Sequence, residues 1–429
     1  MADLVAWAER FIATPSESRL GNAAIADVAS DLLRELGLVA EVESAHAKGV
    51  VHHAVLCDAG PSASDSESGL LLVTHLDTVP PGDSSAWTTT GGDPFRPTLD
   101  GDRLYGLGSA DAKVDFICKA TALSLEHESL TRPVRLVGTF GEEIGMLGAR
   151  WLVETGLTKG FARALVGEPS ELAIVHAHKG YAVYEARVRL PKVAGSGAVT
   201  RETVRGEAAH SSSPELGVNA IVAAFERLER SGASAVSELS GGGAVNVVPD
   251  RCELAFGGSG WSVTPLLEFL KTWRHFQTSL AQRSDSRFAP AQSVASLGKV
   301  TLADGLVTFG FDVRPIPGDD ASLLVTPLAA ACDLVAIRAN PALATPSDSP
   351  LVRALEAAQR AAGLTPRVET KATCTEAGLL ASAGLEAVVL GPGKSVGNVH
   401  KPNEHTLVSQ LHQAVSLYRA ALTRLAGAR

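Results

Sequence analysis

The sequence predicts an α/β protein built on a mixed, mostly parallel sheet flanked by helices, with a smaller second unit inserted into it. Three observations carry this expectation. Up to His178, apolar runs bounded by turn residues alternate with helical patterns. After His178 the strands alternate polar and apolar residues, and from Leu351 the strand–helix succession returns. Strands buried on both faces read as continuous apolar runs, which is how those of the outer segments read.

Taken in order, residues 1–12 form an amphipathic pattern carrying Asp3, Glu9 and Arg10, so they predict a helix rather than an export signal. A helix over 22–37 and short strands at 39–42 and 51–56 follow. Residues 70–74 are a buried strand, 115–125 and 147–154 are helices, and 134–139 and 164–166 are further strands. Within the insertion, 181–190 and 199–205 are strands, while 218–228, 266–280 and 321–331 are helical. A strand at 334–337 closes it, and Pro341, Pro346 and Pro350 punctuate the exit. The last segment holds a helix to residue 362, a strand at 387–390 and a helix over 406–425. The Gly- and Ser-rich stretches 60–69 and 237–243 predict surface loops.

Bulk properties exclude several functions. A chain of 429 residues exceeds what one core usually serves, so two domains are expected. The longest apolar stretch, 323–337, is broken by Pro327 and Asp333, well short of the ~20 residues that cross a bilayer, so no membrane role is expected. Five cysteines without a C-x-x-C pair do not suggest a disulfide framework and point to the cytoplasm. A net charge of -9 argues against nucleic acid and for a small-molecule substrate.

The chemistry-bearing residues stand where the predicted strands end, the place where open α/β sheets collect ligands. His75 and Asp77 lie two apart, so a carboxylate can orient a metal-binding imidazole; a polar pair at a strand end is the alternative. Asp111 follows two glycines at a helix start, as a ligand or as an N-cap. Glu142 and Glu143 directly follow an apolar strand, where one could neutralise a cation and the other handle a proton; otherwise they are an acidic first helical turn. Glu168 and His400 complete a nitrogen and oxygen ligand set that suits zinc, and a shared carboxylate would let two ions sit ~3.5–4 Å apart.

Along most of the chain stand, in order, His75-x-Asp77-Thr-Val-Pro, Leu-Tyr-Gly-Leu-Gly-Ser-Ala-Asp111-x-Lys113, Glu142-Glu143, Gly-Glu168-Pro-Ser, His178-Lys179-Gly180, Ala209-His210-Ser211, Gly217-Val-Asn219-Ala-Ile, Asp312-x-Arg314 and Gly-Pro-Gly before His400. This set resembles the di-zinc metallo-amidohydrolase family of acetylornithine deacetylase and succinyl-diaminopimelate desuccinylase, which also holds carboxypeptidases and aminoacylases. The resemblance implies a zinc-peptidase-like catalytic domain over 1–178 and 341–429 with an α+β, ferredoxin-like lid and dimerisation domain at 179–340. It implies one zinc or cobalt ion on His75 and Glu168, a second on Glu143 and His400, and Asp111 bridging both. Asp77 would orient His75, and Glu142 would be general base and acid. His210 would stabilise the oxyanion from the partner subunit of a homodimer, and the peptide after Asp111 would be cis.

Within that family, Thr373-Cys374-Thr375-Glu376-Ala377 is similar to the acetylornithine deacetylases. N-acetylornithine, or an N-acetylated lysine or citrulline relative, is then the expected substrate, in amino-acid (arginine) biosynthesis. Glu376 would hold a distal ammonium, and Asn246 and Arg314 a substrate carboxylate, with a structural salt bridge as the alternative for Arg314. A desuccinylase, a dipeptidase or carboxypeptidase, and a non-catalytic metal- or peptide-binding descendant are the competing functions. The chain departs from the family at Val114 and Asp115, where many relatives have glycine, and in the long stretch between Asn246 and Arg314.

Overall fold

Strand Gly69–His75 has no polar side chain before Thr74, so both of its faces need cover. The computed structural model describes residues 3–63, 68–195 and 197–427, and it supplies that cover. Leu70 and Leu72 join one core with helices Leu4–Ile12, Ala23–Glu35, Lys113–Glu126, Pro350–Ala361 and Val408–Leu425. Leu71 and Val73, one residue out of phase, join a second core with helices Leu147–Glu154 and Glu376–Ser382.

The chain divides into two compact units: one holds the chain to Ala177, Leu343–Thr370 and the segment from Thr375 on, the other His178–Ala342 with Lys371–Cys374. The first unit's sheet runs Glu41–Ala47, Val50–Ala59, Val134–Thr139, Gly69–His75, Phe161–Gly167, Glu386–Val389, Ile174–His178 and Leu343–Ala344, with Val368–Lys371 also paired to Ile174–His178. The four middle strands, from Val134–Thr139 to Glu386–Val389, are parallel, and antiparallel strands flank them. His75 stands opposite Thr139, and Thr74 opposite Gly167. The residues that follow these strands therefore leave the sheet side by side at one edge.

A buried charge pair sits beneath that edge. Lys119 Nζ lies 2.8 Å from Asp115 Oδ2 and donates to the carbonyls of Val73 (2.7 Å) and Leu165 (3.3 Å). Asp115 also accepts from Thr74 Oγ1 at 2.8 Å and from the Tyr418 hydroxyl at 2.5 Å. Gly167 leaves the space for this pair, since a Cβ there would come within 1.9 Å of Asp115 Oδ2. The departure from glycine at position 115 is thus absorbed by a lysine, a tyrosine and two strand carbonyls.

In the second unit a nine-stranded antiparallel sheet carries helices Ala220–Ser231 and Thr264–Leu280 through a common core. Phe309 stacks on Phe269 at 4.4 Å, and Trp273 meets Phe311 edge-on at 5.2 Å. Asn219 starts the first of these helices by accepting from the amides of Ile221 and Val222. The long stretch before Arg314 is occupied by the second helix and the hairpin Val294–Ala303 with Leu306–Arg314.

Two local expectations change. The helix expected over 321–331 is a short α-helix, Ala321–Leu324, followed by a 3₁₀ turn, Thr326–Ala330, because Pro327 brings no amide to continue the α pattern. The loop expected over 237–243 is largely strand: Ser237 to Gly241 belong to Ala235–Gly241, whose pairing with Arg251–Phe256 overrides the Ser and Gly composition. Residues 64–67 of the other expected loop lie outside the described residues. Among the described residues no helix is long and apolar enough to cross a membrane.

Lys119→Met would leave the Asp115 carboxylate buried without its cation, and is expected to destabilise the protein by about 3–5 kcal/mol. Denaturant unfolding of the full chain measures this, and adding Asp115→Leu to Lys119→Met should recover much of the loss.

Candidate metal centre

Strand Gly69–His75 ends on His75, which the parallel pairing places at the shared sheet edge. Its Nδ1 lies 3.1 Å from the Asp77 carbonyl oxygen and 3.6 Å from Asp77 Oδ1, while its Nε2 faces Asp111 Oδ1 at 3.2 Å and Glu168 Oε1 at 3.8 Å. On the other side of Asp111, His400 Nε2 lies 3.1 Å from Asp111 Oδ2 and 2.9 Å from Glu143 Oε1. Two groups result, His75–Asp111–Glu168 and Asp111–Glu143–His400, each with donor atoms within 4.8 Å of one another. Asp111 belongs to both, one oxygen to each side. The peptide after it is cis, and helix Lys113–Glu126 begins two residues later, with no side-chain cap, so Asp111 is not the N-cap.

Asp77 acts at two places. It lies behind His75, and its carboxylate also accepts from the amides of Glu142 (3.2 Å) and Glu143 (3.4 Å) and from Ser18 Oγ (2.5 Å). One buried carboxylate thus holds the acidic turn by its amides and stands beside the imidazole, whose Nδ1 has the Asp77 carbonyl as its hydrogen-bond partner.

The electrostatics of the site call for positive charge. Burial, together with the Glu143 and Glu168 carboxylates, holds Glu142 well above the usual carboxylate range. Burial works against protonation of His75, yet its bonds to Asp111 and Asp77 raise it well above the ordinary imidazole value. His400, whose side chain is about half exposed, is pushed up to about 12 by its bonds to Asp111 and Glu143, which outweigh the partial desolvation of its ring. Three ligand-type carboxylates with Glu142 beside them, and two imidazoles drawn toward the imidazolium form, are what a site built around divalent cations becomes when only protons balance it. The donor set of histidine nitrogen and carboxylate oxygen fits zinc, cobalt or manganese.

The other expected residues have partners of their own. Glu376 opens helix Glu376–Ser382 and has no exposed surface; its Oε2 accepts from Thr139 Oγ1 at 3.0 Å, and burial pushes it up to about 7. Its other carboxylate oxygen, Oε1, is buried without a hydrogen-bond partner among the described residues. Arg314, in the second unit, is 4% exposed and already pairs with Asp312 Oδ2 at 3.0 Å, donates to Ser211 Oγ at 3.2 Å and stacks on Tyr181 at 3.8 Å. The structural salt bridge held open for it is present. Asn246 is exposed, and its carbonyl accepts from the Ser211 amide. His210 is exposed on the short strand Ala209–His210, with its Nδ1 2.7 Å from Ser212 Oγ.

Ser18 carries no motif; only the fold brings it to Asp77, 59 residues away. Glu404 stands in the motif around His400, but spacing gives no hint that its Oε1 accepts from the amides of Ala110 (2.8 Å) and Asp111 (3.0 Å).

Comparison with known proteins agrees with this geometry. Residues 71–424 match the family described as Peptidase family M20/M25/M40. The chain is 29% identical over 439 residues to an acetylornithine deacetylase from Myxococcus xanthus, covering 97% of this chain and 96% of that protein. It is 27% identical over 419 residues to an acetylornithine deacetylase from Klebsiella pneumoniae (strain 342), covering 92% and 90%. Among solved structures, an M20 family metallo-carboxypeptidase from Sulfolobus solfataricus shares the fold with a TM-score of 0.66 at 18% identity, over 99% of both chains.

Asp111→Ala removes a donor from both groups, whereas Glu143→Ala removes one from a single group. Elemental analysis after dialysis against Co2+ is expected to find ions almost absent from the first variant and about half the unsubstituted protein's content in the second.

Proposed function

We propose that this chain, which belongs to the peptidase family M20/M25/M40, hydrolyses the amide bond of a small N-acyl amino acid, with N-acetylornithine as its substrate. The observation that carries the reaction class is the shared Asp111 between two donor groups, with Glu142 beside them and not among them. The near full-length likeness to two acetylornithine deacetylases supports the substrate.

Bound by His75, Asp111, Glu143, Glu168 and His400, two divalent ions, zinc or cobalt, would supply Lewis acidity that lowers the pKa of water and polarises the scissile carbonyl. Glu142 takes the proton from the attacking water as its oxygen bonds to the acyl carbon, then delivers that proton to the amine nitrogen as the C–N bond breaks. The products are the free carboxylate and the amino acid. Asp77 keeps His75 in its ligating orientation and anchors the backbone from which Glu142 projects. His210 is assigned the oxyanion-stabilising role, delivered from the partner subunit of a homodimer; that assignment and the dimer rest on the family resemblance. The same proposal places the enzyme in the cytoplasm, consistent with five free cysteines.

Glu142→Ala is expected to lower kcat by about 10²–10⁴-fold while the bound-ion content stays unchanged; persistent turnover would remove Glu142 from its role. For the substrate, the Co2+- or Zn2+-loaded protein is offered N-acetylornithine, succinyl-diaminopimelate and dipeptides in parallel. A kcat/KM for N-acetylornithine that exceeds the others by an order of magnitude or more supports the assignment, and equal values overturn it.

A further inference from the structure

Glu404 is 1% exposed, and its two carboxylate oxygens live differently. Oε1 accepts two backbone amides, from Ala110 and Asp111, while Oε2 is buried with no hydrogen-bond partner among the described residues. Leaving a carboxylate oxygen in that state costs free energy that a leucine or a glutamine at the same place would avoid in whole or part, so packing alone does not account for it. The two amides belong to the turn that aims Asp111, the one residue common to both donor groups.

The rest of the segment is held with equal care. The Glu404 carbonyl accepts from the Gly106 amide at 2.9 Å, and His405–Leu407 pairs antiparallel with Arg103–Tyr105 on the approach to Asp111. Asn403, in a left-handed conformation (φ 64°), accepts from the Thr89 amide at 2.9 Å, and Asn398 accepts from the His405 amide at 3.1 Å and donates to the His405 carbonyl at 2.8 Å. His400 itself is left-handed (φ 58°) within this pinned loop. Glu404 is therefore the side chain that joins the loop carrying His400 to the turn carrying Asp111, 293 residues apart in the chain.

We infer that Glu404 is a positioning residue: by clasping the Ala110 and Asp111 amides it fixes the bridging carboxylate relative to His400, and so sets the ion affinity of the Asp111–Glu143–His400 group. A small shift of Asp111 would move a ligand of both groups, but only the second group has two of its ligands tied through Glu404. This inference rests on the metal-centre assignment above.

The test is calorimetric titration of the metal-free protein with Co2+, alongside kinetics with N-acetylornithine. Glu404→Ala is expected to weaken one of the two Co2+ steps about 10–100-fold and to lower kcat at limiting Co2+, with recovery at high Co2+ and KM within about twofold. Glu404→Gln, which keeps an oxygen for the two amides, is expected to retain Co2+ affinity within about threefold of the original. Unchanged Co2+ affinity in Glu404→Ala would overturn the inference. So would Glu404→Gln losing affinity as far as Glu404→Ala does, or, if Glu404→Ala does not fold, Glu404→Gln losing more than tenfold. Failure of the unsubstituted protein to bind Co2+ would instead sink the metal-centre assignment, which keeps the two failures distinct.

Discussion

Concentrated negative charge, held away from water, is the constraint around which the first unit is organised. Asp77, Asp111, Glu142, Glu143 and Glu168 crowd one sheet edge with His75 and His400. Carboxylates so placed repel one another and lose hydration, and the arrangement is favourable only if cations or protons balance it. The shifts of both imidazoles toward their charged form and of Glu142 toward its neutral form express that demand in protons. Family membership and the donor chemistry point to divalent ions as the natural balance.

The frame that holds these charges is apolar and doubly covered. Alternate side chains of Gly69–His75 enter two separate cores, so the strand cannot slip by one residue without exchanging them, and the position of His75 is set accordingly. Parallel neighbours deliver Glu142, Glu143 and Glu168 to the same edge. Beneath it, the Lys119–Asp115 pair joins the strand of His75, the strand that leads to Glu168 and the helix after Asp111 through hydrogen bonds to strand carbonyls and Thr74. Polar contacts of this kind add little net stability, but they admit only one relative placement of the elements they join.

Much of the first unit was legible because its signals are local. The continuous apolar run 70–74, the apolar strand 134–139 and the helical spacing of 147–154 are short-range patterns, and the structure has elements at each of these places. Misreadings arose where local signals conflict with pairing: the Ser and Gly of 237–241 suggest a loop, but neighbouring strands supply the hydrogen bonds that make them strand. Residue type alone also gave no sign of the partners that burial supplies at Glu376 and Arg314, the Thr139 hydroxyl and the Asp312 carboxylate.

By itself the sequence determined the kinds of side chain at the ends of its strands, the period that sends alternate residues to opposite faces, and the ordered motifs that tie the chain to its family. Those properties are set by neighbours a few residues away or by residue identity alone. Tertiary structure decided that Asp111 faces both histidines, that Ser18 and the acidic turn meet on Asp77, and that Glu404 reaches across 293 residues to the Asp111 amide. Contacts between such distant residues leave no periodic trace, because they depend on which strands pair and in what register rather than on local conformational preference.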